Sequence, residues 1–209
     1  MRKGCLKSVV IHFFLVGVIV WFCTVVSYAQ TLDRGCTGAN DWSPFALAIV
    51  PALEIPSGQW NVYGLRLNLF VGRHENIGYF DIGGLANLGA GEVYGIQTAG
   101  IYNQVGTGAG IFQTAGIANH CLDDLLGLQI AGVFSKTDDR LTGGQIAPLA
   151  FAGTLQGLQI GIFNRVEILS GLQIGVVNSA YQAEGVQIGL LNVIADSSAS
   201  ILPILNIGF

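Results

Sequence analysis

Charge is what this chain has least of. Lysine, arginine, aspartate and glutamate make up 11% of its 209 residues, against about a quarter in an ordinary soluble domain. A surface charged on every side is excluded. Histidine is nearly absent, with three in all, which leaves little for a nucleophile–base–orienter constellation or a zinc site. Four cysteines, Cys5, Cys23, Cys36 and Cys121, allow no dense disulfide framework. Basic residues are outnumbered nine to thirteen, a balance that does not suit nucleic acid. Hydrophobic residues, by contrast, reach 51%, and there are 30 glycines.

The N-terminus accounts for part of the apolar excess. Arg2, Lys3 and Lys7 form a basic start, Val9 to Val26 is apolar, and Ser27-Tyr28-Ala29 places small residues where a signal peptidase cuts. Residues 1–29 therefore read as a signal peptide cleaved before Gln30; an uncleaved membrane anchor is the alternative. Cleavage removes three basic residues and no acidic one, leaving six against thirteen, a charge of −7. It also leaves Cys36 and Cys121, which an exporting compartment would allow to pair. Residues 30–43 are a polar leader, and residues 44–209 form a single β-repeat domain.

That domain repeats itself. Gly157-Leu-Gln-Ile-Gly-Ile-Phe-Asn164 returns at Gly171–Asn178 and Gly185–Asn192, and in degenerate form at Ala199–Asn206, with a period of fourteen. Upstream, Asp81, Gln97, Gln113, Gln129 and Gln145 stand sixteen apart, as do Asn87, Asn103, Asn119 and Ser135. A short fixed period means one unit stacked on copies of itself. Leu158, Ile160 and Ile162 alternate with Gln159, Gly161 and Phe163, which is the period of a strand. The long units carry Ala99-Gly100, Ala115-Gly116 or Ala131-Gly132 where the short ones carry one glycine, and the extra residue reads as a β-bulge.

Two all-β architectures fit. In the first, an antiparallel meander of roughly ten repeat strands closes into a small barrel. A repeat minus its turn leaves the nine to eleven residues that cross a bilayer. Asp123, Asp124, Asp138, Asp139, Arg140, Glu184 and Asp196 fall in turns, and strand interiors are nearly charge-free, as lipid contact requires. Ile201, Pro203, Leu205, Ile207 and Phe209 make an alternating apolar end that resembles the assembly signal of Gram-negative outer-membrane barrels. In the second, the β-solenoid, each repeat is one coil, and Asn164, Asn178, Asn192 and Asn206 form an internal asparagine ladder. The barrel is the leading reading, although candidate girdle aromatics such as Trp42, Trp60, Tyr63 and Tyr181 are irregularly spaced.

The Gly-Leu-Gln-Ile-Gly-x-x-Asn units, Asp41-Trp-Ser-Pro, Trp60-Asn-Val-Tyr-Gly-Leu-Arg-Leu-Asn-Leu and Leu202-Pro-Ile-Leu-Asn-Ile-Gly-Phe resemble a family of bacterial surface-repeat proteins. The resemblance implies an exported protein of the outer membrane or cell surface, with outer-membrane lipid as its partner. It brings no catalytic residues. Pro148 departs from the repeat and puts the pairing of its strand in question.

Chemistry is thin. Gly106-Thr-Gly-Ala-Gly110 mimics a phosphate loop but precedes a strand-like repeat, so these are turn glycines. His120, Cys121, Asp123 and Asp124 offer four metal ligands in five residues, without the second ligand pair of a structural zinc site. Asp138-Asp139 is a second acidic turn, and two such turns on one rim offer weak calcium ligands. Ser43 beside Asp41, and Ser170 beside Glu167, have no histidine at a telling position; His74 stands alone. The glutamines read as hydrogen-bonded to one another or to a lumen. No catalytic, cofactor or metal residue is assigned. The expected role is structural or interactive, with a partner-binding surface solenoid as the alternative and a lipid-modifying barrel enzyme as the lesser one.

Overall fold

The computed structural model describes residues 42–50, 52–55, 60–198 and 200–209. The signal peptide, the leader up to Asp41, and with it Cys36, lie outside the described residues. Among those described, the chain forms fifteen strands: β1 (Trp42–Ala48), β2 (Glu54–Ile55), β3 (Asn61–Asn68), β4 (Val71–His74), β5 (Ile77–Gly83), β6 (Ala86–Gly89), β7 (Glu92–Ala99) and β8 (Tyr102–Val105). These are followed by β9 (Thr107–Ala115), β10 (Ala118–Cys121), β11 (Leu125–Ala131), β12 (Phe134–Ile146), β13 (Leu149–Ala183), β14 (Val186–Ile194) and β15 (Ile201–Ile207).

The stack is a β-solenoid of about nine coils, and the barrel expectation is corrected. The deciding observation is strand direction. β3, β5, β7, β9 and β11 pair in parallel, each with the equivalent leg of the next coil. The shorter legs β4, β6, β8 and β10 do the same. A meander needs every neighbour antiparallel. Among the described residues antiparallel pairs occur only at the two ends, β1 with β2 and β14 with β15, where reversal of the chain closes off the stack.

The bulge reading is corrected as well. Ala99, Ala115 and Ala131 pair in register and are buried. The glycine that follows each of them is a corner joining the long leg to the short one. The period shortens by one residue at each of two corners. Ile130 pairs with Ile146, sixteen on; Phe134 pairs with Leu149, fifteen on; Arg140 pairs with Thr154, fourteen on. The first loss replaces Gly132-Val133 by Pro148. The second shortens the acidic corner. Pro148 sits in the bend, its carbonyl accepts from the amides of Ile162 and Phe163, and the pairing on both sides of it is intact. A corner is where a residue without an N–H does least harm.

The glycines two residues before Gln129, Gln145 and Gln159 have their own cause. Gly127, Gly143 and Gly157 have φ of 147°, 129° and 141°, a region that side-chain-bearing residues avoid. A Cβ on Gly143 would also lie 2.1 Å from the carbonyl oxygen of Gly127. Gly143→Ala is therefore expected to destabilise the protein by roughly 1–3 kcal/mol, measured by urea unfolding.

Inside, aliphatic and polar columns alternate. Leu125, Leu141, Leu155 and Leu169 are fully buried and stack coil on coil. The glutamines stack beside them. The interior is filled by these columns, so it is a packed core and not a lumen.

Candidate functional site

The buried glutamines form one continuous chain of hydrogen bonds. Gln187 donates to Gln173, Gln173 to Gln159 and Gln159 to Gln145, each at 2.8 Å. Gln145 donates to Gln129 at 2.9 Å, then Gln129 to Gln113 and Gln113 to Gln97 at 2.7 Å. Every Nε2 points toward the N-terminal end. The asparagines run the opposite way: Asn87 to Asn103 (2.9 Å), Asn103 to Asn119 (3.0 Å), then Asn164 to Asn178 and Asn178 to Asn192 (2.8 Å each). The second Nδ2 hydrogen of each goes to a backbone carbonyl, Thr98 for Asn87 and Ile174 for Asn164, which pins the next coil's corner. The column is broken at Ser135 and Ala150, where the side chains are too short to continue it. Asn206 does not extend the asparagine ladder: it pairs in register with Gln187 on the antiparallel last strand.

A ladder with this polarity must end in an acceptor. Gln97 donates to Asp81 Oδ2 at 2.8 Å, and the carboxylate takes the final donor. Its charge is met by Arg66, one coil further out in the same column, whose Nε and Nη2 donate to Oδ1 and Oδ2 at 2.7 and 2.8 Å. Arg66 Nη1 is 3.3 Å from His74 Nδ1, and that nitrogen is 2.7 Å from Glu54 Oε1. All four side chains are at most 1% exposed. Glu54 comes from β2, which folds back under the first coil. This charged cap closes the N-terminal end. Sequence reading placed Asp81 in the column but missed Arg66. The signal was there: in Gly64-Leu-Arg-Leu-Asn-Leu, Arg66 stands at the position that later units give to glutamine.

The other expected ligands are dispersed. His120 faces outward, its Nε2 2.9 Å from Asp138 Oδ2. Burial works against the Asp138 charge, but hydrogen bonds from Lys136 and His120 outweigh it and hold the carboxyl below its ordinary range. Cys121 faces inward and is fully buried between Val105 and Thr137. Burial pushes its thiol up to about 11. Native protein is thus expected to give no Cys121 reaction with a thiol reagent at pH 8, and unfolded protein to react fully, as read by mass spectrometry. Asp123, Asp124 and Asp139 come together at one corner, with carboxylate oxygens within 4.8 Å of one another, an arrangement that surface acids adopt without an ion. Ser43 Oγ donates to the carbonyl of its near neighbour Phe45, and Asp41 lies outside the described residues. Ser170 borders an open groove of about 530 Å³ at the C-terminal end, with Gln182, Glu184 and Asp196; no histidine lines it. Gly106 is a bend, and Thr107–Ala115 is strand, so this segment is a corner entering a leg and no phosphate cradle.

The outer surface divides sharply. On the long legs, the residues flanking each glutamine point outward in two rows. One runs Leu65, Phe80, Ile96, Phe112 and Leu128; the other passes through Thr98 and Thr114 and continues as Ile130, Ile146, Ile160, Ile174 and Ile188. Neither row carries a charged residue. A third apolar row, including Ile117, Ile162 and Leu190, lines the adjoining corner, with Leu190 73% exposed. The acids lie at the opposite corner. The aromatics form no belts: Tyr63, Tyr79 and Tyr94 cluster together, and Phe134, Phe151 and Phe163 stack along the short legs.

No family model, curated protein or solved structure matches this chain.

Proposed function

We propose that this chain is an exported, surface-attached β-solenoid whose work is interaction rather than chemistry. The observation that carries this reading is the division of its outside into an apolar wall and an acidic corner around a core filled by side chains. With no room inside, any partner must be met on the outer faces. A wall with no charge over its length exceeds the few hundred Å² of contiguous apolar surface that soluble monomers tolerate. The basic, apolar and small-residue order of residues 1–29 supports export. Protease treatment of intact cells tests the reading. The protein should be digested from outside, and its N-terminal residue should be Gln30. A protected cytoplasmic protein that keeps Met1 would overturn it.

A further inference from the structure

We propose that the apolar wall is a self-docking face on which a second copy of this chain packs sheet against sheet. This deepens the interaction reading above by naming its partner.

Size comes first. About nine coils rising ~4.8 Å each, with about five residues of leg at ~3.3 Å, give the wall a footprint of roughly 700 Å². A stable pair of proteins buries about 800 Å² on each side, and the corner row beside the wall supplies the remainder. Shape comes second. Within each row the side chains stand one coil apart, because equivalent residues are in register from coil to coil. A partner interdigitates along the whole length only if its own rows share that spacing, and another copy of this chain does. Two such sheets pack about 10 Å apart. Charge comes third. The chain is net acidic, so association should be opposed. The exposed acids, however, gather at the far corner, and neither wall row carries one.

A lipid surface fits less well. Interfacial binding is helped by Lys and Arg flanking the apolar face. Here Arg73, Lys136 and Arg165 belong to the short legs, and no cation lies in the wall rows.

The test is the solution mass of the full-length gene product, recovered from an exporting host, by light scattering and sedimentation. The native protein should run at twice its chain mass. Ile146→Lys combined with Ile174→Lys, which places two cations on the wall, should run at the chain mass with unchanged circular dichroism. Gln104→Lys with Ser179→Lys, on the short legs and away from the wall, should remain paired. If the wall variant misfolds, a spin label at Thr114→Cys in the otherwise native wall should report an intermolecular distance under about 20 Å, two sheets and one coil of offset. A native protein that is monomeric without detergent overturns the proposal. So does a wall variant that stays paired, or a native protein that floats with phosphatidylethanolamine–phosphatidylglycerol vesicles through the wall and never pairs. Protease shaving reads location and these measurements read pairing, so either reading can fail alone.

Discussion

Arg66→Leu is expected to cost about 3–5 kcal/mol, the usual penalty for stripping the partner from a buried charge. Asp81 then keeps one donor, Gln97, and Glu54 loses the guanidinium 4.0 Å away. A stack that holds together through nearest-neighbour contacts should spend this loss locally. Amide exchange should speed up in β3 and β5 while β13 and β14 keep their protection. Adding Asp81→Asn should recover part of the loss, because it removes the stranded charge and leaves Gln97 an acceptor. Uniform exchange across all coils would contradict the capping role.

Gln129→Leu strikes the middle of the ladder. It removes the donor to Gln113 Oε1 and the acceptor for Gln145 Nε2 and Thr137 Oγ1. Gln145 Nε2 keeps the Phe151 carbonyl, which leaves two orphaned buried groups at about 1–3 kcal/mol each, so the variant should lose about 2–6 kcal/mol. Lengths match closely enough that packing is not the cause. Because the lesion is central, cooperativity should suffer too, with the coils on either side melting apart. Calorimetry should show one transition for the native protein and two for the variant.

Much of this was legible in the sequence. The fourteen- and sixteen-residue periods gave the coils, and alternation around Gln159 gave strands. The asparagine ladder was visible in Asn164, Asn178 and Asn192. What misled was direction, because a period of two is the same for parallel and antiparallel strands. Charge-free strands such as Leu158–Phe163 suggested lipid, when Leu158 and Ile160 belong to the solenoid's outer wall. A better signal lay in the glutamines and asparagines taken together. Both keep one spacing, at two heights along the unit. Copies running in opposite directions can align one such column, and only copies running the same way align both. The corners were missed because Ala99-Gly100 and Gly132-Val133 carry none of the polar residues that mark loops; glycine alone turns the chain there. The charged cap was missed because partners fifteen residues apart become neighbours only after the coil closes.

The most direct measurement of the stack itself is a distance series along the acidic corner. The corner steps from Glu92 through Thr107, Asp124, Arg140, Thr154, Ile168 and Gln182 to Asp196. With one spin label at Asp196, a second at Thr154, Asp124 or Glu92 should lie roughly 14, 24 or 34 Å away, growing by ~4.8 Å per coil. Distances that level off or fall back toward Glu92, as strands circling a closed ring require, would contradict the solenoid.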